Sequence, residues 1–134
     1  MNELEEGTTL SLDFEKLRKV GVGEGDVLPV VLQHAETGEV LYVAYANRLA
    51  LEETLAKREA VLWSTSRNEL WHKGATSGDT LALVDVRVNC EQNSLLYRVI
   101  PRTGGVCHTK DANGAPRKTC YYRQLESAGS LQFL

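Results

Sequence analysis

The order of apolar and polar positions marks out most of the elements of this chain. Val27–Gln33 (VLPVVLQ) and Glu39–Tyr45 (EVLYVAY) are rich in β-branched and aromatic residues and flank the turn sequence AETG, which predicts a hairpin. Asn47 precedes RLALEETLAKRE, a helix it can cap, with Leu49, Ala50 and Leu55 on the apolar face and a basic Ala56–Arg58 end. A shorter helix is expected over Asp13–Lys19, capped by Ser11 or Asp13 and broken by the glycines at 21, 23 and 25. Further strands are expected at Ala60–Ser64, Glu69–Lys73, Leu81–Val88 and Ser94–Ile100. In LALVDVRVN, Leu83, Asp85, Arg87 and Asn89 fall on one side and Ala82, Val84, Val86 and Val88 on the other, a strand with unequal faces. The segment TKDANGAPRK reads as a turn-rich loop between Cys107 and Cys120. Six or seven strands against one or two helices predict an α+β fold on a mostly antiparallel sheet.

At 134 residues the chain is expected to be one domain, with its core over about 27–123 and loosely ordered ends at 1–10 and 126–134. A net charge of −3 offers no broad basic field, which argues against nucleic acid as a partner. No apolar run reaches membrane-spanning length, and the acidic start MNELEEGTTL is the reverse of a signal peptide, so a cytoplasmic location is expected. In a reducing compartment the three cysteines read as metal ligands, nucleophiles or buried fillers rather than disulfides.

Cys90, Cys107 and Cys120 lack a C-x-x-C knuckle, so a four-ligand structural zinc ribbon is a poor match. Three ligands with an open fourth position is the catalytic zinc pattern; three unrelated core thiols is the competing reading. His108 follows Cys107 directly, and adjacent side chains of an extended segment point apart. It therefore suits a nearby acid/base role better than a fourth ligand, the alternative being a solvated surface histidine. A second cluster lies in WSTSRNELWHKGATSGD. Ser64, Ser66, Arg67, His72, Lys73, Gly74, Thr76, Ser77 and Gly78 combine hydroxyls, fixed cations and flexible backbone, a mixture that suits phosphate. Trp63 and Trp71 either stack on a base or fill the core, with core the expectation for Trp63. A polar hairpin is the bland alternative, and no P-loop motif is present.

Four blocks in order, VLYVAYANRLALEETL, LWSTSRNELWHKGATSGD, VNCEQN and GVCHT…TCYYR, resemble the phosphoribosyl-AMP cyclohydrolase family of histidine biosynthesis from about Leu28 to Arg123. The resemblance implies a β-rich α+β domain forming an intertwined homodimer with active sites between subunits. It also implies zinc held by Cys90, Cys107 and Cys120 from both chains, a catalytic His108, and substrate binding by Ser64, Ser66, Arg67, Trp71, Lys73, Gly74, Thr76, Ser77 and Gly78. The reaction implied is hydrolytic opening of the adenine N1–C6 bond of N1-(5-phosphoribosyl)-AMP.

One departure stands out. The family's three magnesium-binding aspartates match Asn89, Glu91 and Asn93, so the formal charge drops from −3 to −1 and a weakened magnesium site is expected. Two further readings follow from it: a paralogue hydrolysing a related N1-modified purine or cyclic amidine, and a non-catalytic zinc-stabilised binding dimer.

Overall fold

The predicted hairpin forms as β1 (Leu28–His34) and β2 (Val40–Ala46), antiparallel with Val31 opposite Val43. This computed structural model describes residues 2–21 and 26–134. The breaks expected at Gly23 and Gly25 lie outside the described residues. β1 also pairs in parallel with β6 (Leu95–Pro101), and β6 pairs antiparallel with β5 (Leu81–Val88), giving the order β2-β1-β6-β5. Two small antiparallel hairpins flank this sheet: β3 (Val61–Ser64) with β4 (Glu69–His72), and β7 (Arg123–Ser127) with β8 (Ser130–Phe133). The class is α+β. The principal sheet is mixed, because β1 meets β6 in parallel.

Alternation places Val30 and Leu32 of β1 and Leu95, Tyr97 and Val99 of β6 in the core, joined by Leu41, Leu62 and Leu81. Helix α3 (Arg48–Lys57) begins as expected, with Asn47 Oδ1 accepting from the Ala50 amide at 2.8 Å. Its buried face is Ala50 and Thr54, with Leu51 packed on the core, whereas Leu49 and Leu55 are about half exposed. The expected apolar face is thus corrected by roughly a quarter turn. Thr54 explains why a polar residue faces inward. Its hydroxyl lies 2.8 Å from the Ala50 carbonyl and accepts from the Val61 amide at 2.9 Å, stitching α3 to β3. Thr54→Val keeps the shape but strands the Val61 N–H. It is expected to lower stability by about 1–3 kcal/mol, read as a shifted urea midpoint at constant slope.

Other expectations are revised. The early helix is α2 (Lys16–Gly21); Asp13 Oδ1 instead accepts from the Glu15 amide at 3.0 Å, which makes a turn of residues 13–15. The strict alternation of β5 is broken by a register shift between Leu83 and Asp85. Leu81 and Leu83 are buried, Val84 faces out, and Val86 packs on the core. Trp63 is half-buried and outside the core, while Trp71 packs against it. Within the end segments lie α1 (Glu3–Glu6) and a Thr9–Ser130 bridge at 1–10, and β8 with the last two residues of β7 at 126–134.

Candidate active site

Three segments converge on a cleft of about 410 Å³. From β2 comes Tyr42, whose neighbour Leu41 lends its carbonyl to the Cys120 amide at 2.8 Å. From the β3–β4 hairpin and the turn after it come Arg67, Trp71, Lys73, Gly74, Thr76 and Ser77. The loop after β6 supplies Cys107, His108 and Cys120; both Cys107 and Val106 donate their amides to the Arg117 carbonyl at 3.0 Å. Gly74 allows the tight turn: its φ is +80°, and a Cβ there would overlap the Asp79–Thr80 backbone.

Cys107 is buried and His108 exposed, so the two neighbours do point apart while bordering the same cleft. Cys107 Sγ lies 3.0 Å from Thr109 Oγ1. Cys120 keeps an exposed flank, yet burial around its thiol and hydrogen bonding with Cys107 push its pKa up to about 12. These two sulfurs are the meeting pair. Cys90 sits exposed on the turn after β5, and among the described residues no group of three or more His, Cys, Asp or Glu side chains is placed to hold an ion. The anticipated convergence of three sulfurs is therefore not met within one chain.

Thiol reactivity follows thiolate content and access. In metal-free protein, limiting iodoacetamide at about pH 8 is expected to label Cys90 well ahead of Cys107 and Cys120, read by peptide mass spectrometry. Equal labelling rates would contradict the assigned environments.

Lys73 is the buried cation of the cleft. Its Nζ donates to the Asp79 carbonyl at 3.2 Å, and burial holds its pKa below the usual lysine value despite the opposing pull of Asp79. Arg67 is exposed, and its ion pair among the described residues is a 3.5 Å surface contact to Glu69, a weak restraint. Ser64 and Ser66 do not line the cleft. Their hydroxyls lie 3.3 Å apart, and Ser64 Oγ accepts from the Arg67 amide, closing the β3–β4 turn. Gly78 likewise closes a turn, through its amide to the Gly74 carbonyl at 2.8 Å.

The side chains of Asn89, Glu91 and Asn93 bond to one another and to the backbone of their own turn. Asn89 Oδ1 accepts from the amides of Asn93 and Ser94 at 2.9 Å, Asn93 Oδ1 accepts from Asn89 Nδ2 at 2.6 Å, and Glu91 Oε2 accepts from Asn93 Nδ2 at 3.2 Å. Their oxygens close the β5–β6 turn, and a single carboxylate remains for an ion that dehydrates reluctantly.

One residue at the cleft, Tyr42, escaped the sequence reading. Tyr42 is buried with a hydroxyl that has no hydrogen-bond partner among the described residues, and burial followed by the nearby Cys120 and Cys107 raises its pKa, so it stays protonated. In sequence it is one more aromatic strand residue. His72 borders the cleft with Nε2 2.9 Å from Glu59 Oε1, while Arg102 donates to Glu59 Oε2 at 2.9 Å. Burial opposes ionisation of Glu59, but these two partners outweigh it and hold the carboxyl below its usual range.

Fold and cleft together define a small α+β enzyme whose site gathers paired thiols, an imidazole and a buried ammonium. Comparison with known proteins makes the class specific. Residues 42–122 match the phosphoribosyl-AMP cyclohydrolase family, and the chain belongs to that family. A phosphoribosyl-AMP cyclohydrolase of Streptococcus mutans is 44% identical over 118 residues, covering 88% of this chain and 95% of that protein. One from Sphingopyxis alaskensis is 44% identical over 108 residues, 81% of this chain and 80% of that protein. The histidine biosynthesis bifunctional protein HisIE of Thermus thermophilus is 47% identical over 109 residues, 81% of this chain; the match spans about half of that longer protein, 48%.

Proposed function

We propose that this chain catalyses the phosphoribosyl-AMP cyclohydrolase step of histidine biosynthesis, hydrolysing the N1–C6 bond of the adenine ring of N1-(5-phosphoribosyl)-AMP. The observation that carries the proposal is the meeting of Cys107, Cys120, His108 and Lys73 at one cleft, inside the stretch shared with the family. The relatives' names supply the substrate.

The donor chemistry suits zinc, since two soft thiols stand side by side, and we assign Cys107 and Cys120 as two of its ligands. The third is Cys90 of a second copy, for Cys90 is exposed and has no other thiol to join in its own chain. When bound, zinc supplies Lewis-acid activation of water near neutral pH. A homodimer also accounts for the distal half of β5. Arg58 and Ala60 bond its Leu83 and Leu81 ends, beyond which Val84 and Val88 stand exposed on the outer strand of the sheet. The asparagine and glutamate side chains at 89, 91 and 93 act as turn closure.

His108 accepts the proton of the attacking water. As the tetrahedral C6 collapses, N1 leaves with a proton returned by the same imidazole. One water is consumed, and the exocyclic nitrogen remains as a carboxamide. Trp71, beside Tyr42 at 6.4 Å between ring centroids, offers a face for the base. Lys73, Arg67 and the Gly74–Ser77 turn take the phosphates, and a phosphate beside Lys73 favours its charged form. Thr76 and Ser77 add hydroxyl donors to the same turn.

No helix among the described residues is long and apolar enough to cross a membrane. Three unpaired thiols suit the reducing conditions of the cytoplasm. The direct test is to incubate zinc-loaded protein with N1-(5-phosphoribosyl)-AMP and follow formation of the ring-opened imidazole carboxamide. Absence of turnover on this substrate, with turnover on another N1-modified purine, would replace the assignment with the paralogue reading.

A further inference from the structure

We infer that Glu5 is a positioning residue for His108, brought to the site by an N-terminal strap lying outside the stretch matched to the family. The inference rests on the catalytic role proposed for His108. Glu5 Oε1 lies 2.7 Å from His108 Nε2, across 103 residues of chain. A carboxylate accepts and has no proton to give, so Nε2–H donates and Nδ1 keeps the free lone pair. The contact holds one tautomer and one ring setting for a side chain that is 76% exposed.

The carboxylate is itself aimed by fixed backbone. Tyr122 Oη donates to the Glu5 carbonyl at 2.8 Å, and Arg123 Nη1 donates to the carbonyls of Leu4 at 3.0 Å and Gly7 at 2.9 Å. Arg117 forks onto both oxygens of Glu6 at 2.8 and 2.9 Å while lying over the Tyr122 ring. Beyond them, Leu131 donates to the Thr8 carbonyl at 2.7 Å and Leu10 to the Gly129 carbonyl at 2.9 Å. Anchors therefore stand on both sides of Glu5. An exposed pair such as Glu5–His108 adds little to stability. Its consequence is orientation. The opposite reading, in which the strap obstructs the cleft, predicts an effect of the opposite sign.

The experiment uses zinc-loaded full-length protein and four variants: Glu5→Gln, Glu5→Asp, His108→Ala and the Glu5→Gln/His108→Ala double. Gln can offer its NH₂ to Nε2 and select the other tautomer. Glu5→Gln is expected to lower kcat about ten- to hundredfold, the range for outer partners of functional histidines, with KM within about twofold. Glu5→Asp restores part of the loss. In the His108→Ala background the Gln substitution adds nothing, because Glu5 acts through that ring. A kcat for Glu5→Gln at or above wild type, with His108→Ala inactive, overturns this inference and leaves the function standing. Wild-type turnover by His108→Ala would instead remove the catalytic role on which it depends.

Discussion

His108→Ala is expected to lower kcat about 10²- to 10⁴-fold, the usual contribution of a positioned acid/base group, with zinc content and melting temperature unchanged. The separation of effects comes from the geometry. The imidazole is 76% exposed, so its removal leaves no cavity, and among the described residues the one side-chain partner it loses is the carboxylate of Glu5. Cys107, next in the chain, is buried and points the other way, so the thiol pair keeps its setting. Steady-state kinetics beside metal analysis and a thermal melt check all three. Undiminished turnover would remove the acid/base role from this ring, whereas zinc-loaded wild type without any turnover would favour the non-catalytic zinc-stabilised dimer.

Mixing two dead enzymes is expected to produce a live one. Cys90→Ser and Cys107→Ser each remove one sulfur from every site of a symmetric dimer, so each alone should lose tightly bound zinc and turnover. In a heterodimer of the two, one site has both defects and the other has none. Heterodimers selected through both tags have one intact site in two, so about half of wild-type activity returns. The physical basis is that Cys107 and Cys120 adjoin whereas Cys90 stands exposed on another turn of the same chain. Coexpression with two tags, purification through both and a turnover assay give the answer. An inactive mixture, or an active Cys90→Ser homodimer, rules out a site shared in this way.

The candidate site was only partly legible beforehand. The residues Arg67, Trp71, Lys73, Gly74, Thr76 and Ser77 line the cleft as the composition of their segment implied, because cations, hydroxyls and glycine are the natural equipment for phosphate. Ser64 and Ser66 carry the same chemistry but spend it on their own turn. Nothing in their identity separates the two uses. Glu5 was unreadable for a different reason: its partner is 103 residues away, and an acidic leader looks like solvated chain until the C-terminal hairpin is seen to hold it.

By itself the sequence determined what short-range forces govern: the hairpin of β1 and β2, the Asn47 cap, the bounds of β5 and, through its ordered motifs, the family. Hydrophobic period, caps and turn residues act over a few positions, so a short window contains them. The tertiary structure alone decided the face of α3 that is buried, the bulge that turns β5 over at Val84, the strap formed by the N-terminus, and the two thiols that meet. Each of these is set by a free-energy difference between residues distant in the chain, such as Thr54 bonding Val61 or Cys120 bonding Leu41, and no local pattern carries that difference.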